Sequence, residues 1–265
     1  GRHAARITLI TGYFPLCRSD KDEGDTELTM PPMLMALVEA ACGAVGLHRW
    51  ICVDPHSEQI SMVGRPGQVT PVYLTRRVLK HVISLVPDPE RLCLVFPDDR
   101  ARKRFDTARS AIELEMRLTF PDVTALKRRM SATETKIIGI VGDPRLVRGR
   151  TAVMFDDEVA TAGSMMKFAH VLRGTDKLRA LAGNEAADVW GAATHAVLCG
   201  EAEERFTAPA CPISKLIVTD TIPLPANGGF GRMHHDGRLQ IISWIEDLAW
   251  ICLTHHWGGN LREIR

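Results

Sequence analysis

What most constrains the fold of this chain is the alternation of short, continuously apolar runs with longer stretches of helical periodicity. Arg6–Thr11 (RITLIT), His48–Asp54 (HRWICVD), Arg91–Phe96 (RLCLVF), Lys136–Val141, Thr151–Phe155, Val189–Leu198, Lys215–Thr221 and Leu239–Trp244 read as strands. Pro31–Cys42, Val72–Leu85, Arg102–Met116, Ser164–Leu172 and Ile245–His255 read as helices, the first with proline in its opening turn, where no amide is needed. Strands that are apolar throughout are buried on both faces. The reading is therefore an α/β fold, a mainly parallel sheet flanked by helices. Gly-rich breaks fall at Gly64–Gly67 and Ala226–Gly231. In such sheets ligands sit at the carboxyl ends of strands. That directs attention to His56, Asp98, Asp156–Ser164, Thr194–His195 and Asp220–Thr221.

Composition sets the outer bounds. Lys+Arg 33 against Asp+Glu 32 leaves a net charge of +1, so no global field holds nucleic acid or anionic lipid, and any anion site must be local. No apolar run reaches the roughly 18 residues of a membrane span. The seven cysteines are odd in number and lack a CxxC pair, which argues against a disulfide framework or a structural zinc. Reduced thiols in a cytoplasmic protein are expected. The N-terminus runs straight into a strand without a secretory apolar region, as though the chain began inside a fold.

The most informative segment is Thr151–Met165, TAVMFDDEVATAGSM: an apolar strand, two acids, then small residues opening a helix. Ala162 and Gly163 let backbone amides approach an anion. Thr161 and Ser164 add hydroxyl donors, and the helix dipole points at a phosphate. Asp156 and Asp157 suit ribose hydroxyls or the Mg²⁺ that escorts a pyrophosphate. A capped helix after an acidic turn is the plain alternative. The whole pattern D-D-x-x-x-T-x-G-[ST] resembles the phosphoribosyl-pyrophosphate loop of type I phosphoribosyltransferases.

Other segments resemble, in colinear order, those of the ribose-phosphate pyrophosphokinase family: ITGYFPLCRSDK (10–21), CVDPHSEQI (52–60), FPD (96–98), LKRR (126–129), GIVGDPRLVRGRTAVMFDD (139–157), AATHAVLCGEAEERF (192–206) and KLIVTDTIPLP (215–225). The resemblance implies a type I phosphoribosyltransferase-like domain over 70–242. A partial second domain of the same kind would comprise 1–69 with a C-terminal helix, 243–265. It implies transfer of diphosphate from MgATP to ribose 5-phosphate, giving phosphoribosyl pyrophosphate and AMP. Asp156, Asp157, Thr161, Ala162, Gly163 and Ser164 would hold ribose 5-phosphate, Arg18 and Asp20 the nucleotide, and His56 and Asp98 the Mg²⁺. Of the two metal candidates Asp98 suits so hard a cation better than an imidazole. Lys127 and Arg129 would be catalytic, neutralising the transferring group; unaided, that stretch reads as a solvated basic turn. Assembly as a homo-oligomer (dimer or hexamer), or with a full-length homologue, is also implied.

Departures from the family pattern give a second reading. Where the family's pyrophosphate loop reads Asp-Ala-Gly-Gly, this chain has Asp98-Asp99-Arg100-Ala101. Bare glycine backbone is lost there and a negative charge gained. Ala160 replaces the usual Asp, Ser19 a Gln, and Pro55 stiffens the turn at His56. The family's earliest strands and its Phe-x-Asp-Gly-Glu turn have no counterpart. Together these point to an alternative, a catalytically impaired homologue acting as a regulatory or assembly subunit. A phosphoribosyltransferase is a third option, without an evident base-recognition hood. The His234-His235 and His255-His256 pairs lack metal-ligand spacing. Trp244, Trp250 and Trp257 recur on one helical face that reads as packed or interfacial. Thr219-Asp220-Thr221 serves either the nucleotide or a structural cap.

Overall fold

The computed structural model describes residues 4–19, 29–129, 135–176 and 182–261. The chain divides into two compact units, Gly1–Leu74 with Ile245–Arg265, and Thr75–Trp244.

In the smaller unit, β1 (Ile7–Thr11), β2 (Leu47–Val53) and β3 (Val69–Val72) form a parallel sheet in the order β1-β2-β3. Helix α1 (Met30–Ala41) buries Met35, and the core gathers Phe14, Leu47, Trp50, Cys52 and Ile60. Phe14 stacks on Trp50 with ring centroids 4.4 Å apart. Helix α7 (Ile245–His256) buries Ile251 and turns Trp250 and Leu253 outward, and Trp257 just beyond it is also exposed. The helix read over Val72–Leu85 is corrected here. Val72 pairs with Val53 as the last residue of β3, and the helix starts at Thr75. Pro71 is tolerated because β3 is an edge strand.

The larger unit carries a seven-stranded sheet in the order β10-β9-β8-β7-β4-β5-β6. Its strands are β4 (Leu92–Phe96), β5 (Asp122–Arg129), β6 (Thr135–Val141), β7 (Thr151–Val159), β8 (Asp188–Ala196), β9 (Lys215–Thr219) and β10 (Leu239–Ile242). All neighbours are parallel except β5 and β6, which form an antiparallel hairpin. Side chains alternate between faces along each strand. Leu92, Leu94 and Phe96 of β4, with Val153 and Phe155 of β7, therefore meet α2 (Thr75–Leu85) and α3 (Asp99–Met116). Cys93, Val95, Ala152 and Met154 take the opposite face, with α4 (Gly163–Leu172), α5 (Ala202–Thr207) and α6 (Gly228–His235). Phe96, Phe105 and Phe155 lie 5.0–6.2 Å apart by ring centroid. Each is fully buried, a contribution of about 2 kcal/mol apiece.

Both faces of this sheet are covered, as continuous apolar runs require. The fold class is the one expected, α/β with parallel sheets flanked by helices. None of the seven cysteines forms a disulfide, and burial pushes the Cys52 and Cys93 thiols up to about 12. Among the described residues no helix is long and apolar enough to cross a membrane.

Candidate active site

The order of the larger sheet creates a switch point. From β4 the chain moves outward through β5 and β6. It then returns to the other side of β4 as β7 and continues away through β8 to β10. Connections diverge from the carboxyl ends of β4 and β7, which opens a crevice there, the usual ligand site of such sheets. Asp98 lies two residues beyond β4, and Asp156 and Asp157 lie near the end of β7.

Strand β7 runs further than the apolar run predicts. It continues to Val159, with Asp156 opposite Ala193 and Glu158 opposite His195 on β8. The two acids are therefore held by ladder hydrogen bonds, and their side chains leave on opposite faces. Asp157 points toward α3, where Arg104 Nη1 lies 3.3 Å from its Oδ2. Asp156 takes the other face, and its Oδ1 accepts a 2.9 Å bond from the Asp157 amide. Burial, then the charge of Asp157, pushes the Asp156 carboxyl well above the usual range, and Asp98 adds to the effect. Two neighbouring carboxylates thus act on Asp156 at the switch point.

Asp98 is the N-cap of α3, its Oδ1 accepting a 3.0 Å bond from the Ala101 amide. The helix read from Arg102 begins three residues earlier, at Asp99, so the altered Asp98–Ala101 segment is a cap and a first helical turn. A negative charge is favourable at Asp99, near the positive end of the helix dipole. Lys103, one turn on at 2.8 Å, lowers its carboxyl further. Arg102 and Arg109 hold α3 to β5 through Asp122 at 2.8 and 2.7 Å.

Beyond β7 the chain turns through Ala160–Ala162 into α4. Ala162 is left-handed (φ 60°, ψ 1°), a conformation that costs a non-glycine residue about 1 kcal/mol. Thr161 and Ser164 are exposed beside it. A second loop backs the turn: the Leu198 and Cys199 amides donate to the carbonyls of Val159 and Ala160 at 2.9 and 3.1 Å. From α5, Arg205 Nη1 donates to the Thr161 carbonyl at 2.6 Å and pairs with Glu201. A Cβ on residue 163 would stand 2.9 Å from that guanidinium nitrogen, the movable end of a long side chain that would have to shift. Sequence reading had the AEERF segment in view but did not single out Arg205 or Arg104. Both reach the crevice from helices, a tertiary fact without a local signal.

The remaining candidates are distributed. Lys127 lies in the β5–β6 hairpin, opposite Ile137, not in a turn. Arg129 pairs with Thr135 in the same ladder, but its side chain lies outside the described residues, as does Asp20. Arg18 and His56 belong to the smaller unit, His56 just beyond β2. The Thr219–Thr221 segment has a structural role. Asp220 Oδ1 accepts from the Trp244 amide at 2.8 Å, Thr219 donates to the Thr194 carbonyl at 2.7 Å, and Thr221 meets His195 Nδ1 at 2.9 Å.

No family model matches the chain. It is 34% identical over 230 residues to the ribose-phosphate pyrophosphokinase of Nitrosomonas europaea, covering 83% of this chain and 62% of that one. Against the Rhodopirellula baltica protein of the same name it is 34% identical over 223 residues, with the same coverage. A solved phosphoribosylpyrophosphate synthetase from Mycobacterium smegmatis superposes with a TM-score of 0.69 at 24% identity, covering 96% of this chain and 72% of that one. The chain thus spans 62% of the length of these curated relatives, and the resemblance read from its motifs holds.

Proposed function

We propose that this relative of the ribose-phosphate pyrophosphokinases transfers a diphosphoryl group from MgATP to the 1-hydroxyl of ribose 5-phosphate, giving phosphoribosyl pyrophosphate and AMP. The observation that carries the reading is the switch point itself. An acidic pair on β7, the strand next to β4, is followed directly by a small-residue turn into α4 that the Arg205 guanidinium braces. In this reading the Ala162, Gly163 and Ser164 amides, with the Thr161 and Ser164 hydroxyls, take the 5-phosphate. Asp156 and Asp157 accept from the ribose hydroxyls and fix the 1-hydroxyl for attack. Lys127 and Arg129 close over the transferring group and neutralise its charge, the main demand of phosphoryl transfer. Arg18 and Asp20 serve the nucleotide.

Among the described residues no three His, Cys, Asp or Glu side chains converge to hold a metal on their own. Mg²⁺ needs less, being commonly held by one or two carboxylates together with substrate phosphates. Burial first, and then the neighbouring negative charge, raise Asp156, and a divalent cation nearby would offset both. Asp98, with His56 as the second candidate, would hold it, and the bound ion would polarise the ATP phosphates. Cytoplasmic residence and a homo-oligomer, or an assembly with a longer homologue, complete the reading.

A second reading is favoured by one observation. Asp99 and Arg100 fill the first turn of α3 with exposed charged side chains where the related loop has bare backbone. A chain so altered would act as a regulatory or assembly subunit. One assay separates the two. Purified protein with ribose 5-phosphate, MgATP and phosphate releases AMP if the first holds. Ribose 5-phosphate binding without AMP release selects the second. In that case, turnover gained by the Asp99→Ala, Arg100→Gly, Ala101→Gly variant would trace the defect to this turn.

A further inference from the structure

The smaller unit gathers basic side chains at the amino-terminal end of its parallel strands β1 and β2, whereas His56 lies beyond the carboxyl end of β2. Strands β1 and β2 are parallel, but their register shifts between Ile7 and Thr8. Ile7 faces Leu47 while Thr8 faces Arg49, which makes His48 the extra residue of a bulge. Bulges re-aim side chains at the ends of sheets. His255, from the last turn of α7, reaches this end of the sheet, with its Nε2 3.0 Å from Thr8 Oγ1. The His48 ring lies 6.3 Å from the His255 ring, tilted by 30°. Arg6, immediately before β1, is exposed, as is His48, while Arg49 and His255 are half-buried.

The charges that act on His255 come from every element around it: Arg49 and His48 on β2, Arg6 before β1, and His256 on α7. All four are basic. Among the described residues no ion pair engages Arg6, His48, Arg49, His255 or His256. The negative end of the α7 dipole offsets part of this repulsion at His255 and His256. It does little for the two guanidinium groups, one before β1 and one on β2. Like charges gathered without a counter-charge, around a hydroxyl donor and two imidazoles, make a receptor for an anion.

We propose that Arg6, His48, Arg49 and His255, with the Thr8 hydroxyl, form an oxyanion site that takes a small dianion of the phosphate class. The site is independent of the reaction proposed above. Its two guanidinium groups supply fixed charge and several donors, and the imidazoles supply charge that depends on pH. In the free protein, burial and the surrounding cations hold His255 below its ordinary pKa. A bound dianion favours the imidazolium, so binding takes up protons and tightens as pH falls.

The test is a histidine proton NMR titration with sulfate, which does not itself titrate near neutral pH, against chloride at equal ionic strength. His255 is assigned through a His255→Gln variant. The pKa of His255 rises with sulfate beyond the chloride control, and Arg49→Ala weakens sulfate binding about tenfold or more. Equal shifts in chloride, or unchanged affinity in Arg49→Ala, would overturn the proposal. Should Arg49→Ala fail to fold, Arg6→Ala carries the same expectation from an exposed position. Inorganic phosphate and a phosphomonoester, run as separate arms, distinguish a free ion from a phosphoryl group on a larger ligand. Binding of neither also overturns the site.

Discussion

Arg104 Nη1 stands 3.3 Å from Asp157 Oδ2, joining the body of α3 to the carboxyl end of β7 with both side chains largely out of water (16% and 10% exposed). The pair gives the second acid of the switch point a counter-charge. Removing one member leaves the other buried and uncompensated. Arg104→Met is therefore expected to cost about 3 kcal/mol, and adding Asp157→Asn to restore much of it. Urea unfolding of the two single variants and the double variant gives the coupling. Additivity within about 0.5 kcal/mol would show that the two groups do not interact.

Asp156 provides a pH signature. Burial, Asp157 and Asp98 raise its folded-state pKa, so the folded protein holds a proton there that the unfolded chain releases near its ordinary value of about 4. This contribution to stability therefore falls as pH rises from about 4 through the raised folded pKa. Asp156→Asn is expected to raise the melting temperature at pH 8 and flatten its pH dependence. A melting temperature lowered equally at pH 5 and pH 8 would count against the assignment.

Arg205 spans the turn into α4 and, in the proposed reaction, lies beside the bound 5-phosphate. Arg205→Ala should weaken ribose 5-phosphate binding by about tenfold or more, as loss of a charge-assisted hydrogen bond does. Calorimetry at two salt concentrations separates charge from turn geometry. Loss of affinity without a change in salt dependence would leave Arg205 only its bond to the Thr161 carbonyl.

The left-handed Ala162 is a local strain whose relief can be measured. Glycine adopts φ near 60° without the Cβ penalty but loses more conformational freedom on folding. The balance favours Ala162→Gly by about 0.5 kcal/mol. Chemical denaturation checks this, and a destabilised variant would mean that the methyl group, itself buried, matters more than the backbone.

Strand β7 and the start of α4 were legible because an apolar run, an acidic pair and small residues follow one another within a single segment. The carboxyl-end rule points from sequence alone to Asp98 and Asp156. Other elements escaped for identifiable reasons. Pro71 disguised β3, a strand that tolerates proline only because it is an edge. Leu126–Arg129 looked like a basic turn because a hairpin arm exposed to water needs no apolar alternation. The Gly-rich Ala226–Gly231 read as a break, yet α6 begins within it at Gly228. Arg104 and Arg205 were invisible as site residues, since their value depends on where two helices pack. The extension of β7 through Asp156 to Val159 was missed because charged residues seldom continue a buried strand. Here the flanking ladder with β8 holds them in it.

The neighbours at the switch point, β4 and β7, are far apart along the chain, with Leu92 paired to Thr151 across an excursion that contains α3 and the whole β5–β6 hairpin. No local fragment can bring Asp98 beside Asp156. Their meeting waits for a long loop to close, one of the slower and more cooperative events in folding. Nascent or partly unfolded chains therefore lack this constellation altogether. Ligand binding at the crevice would act on the fully formed sheet alone, drawing the folding equilibrium toward it in proportion to ligand concentration.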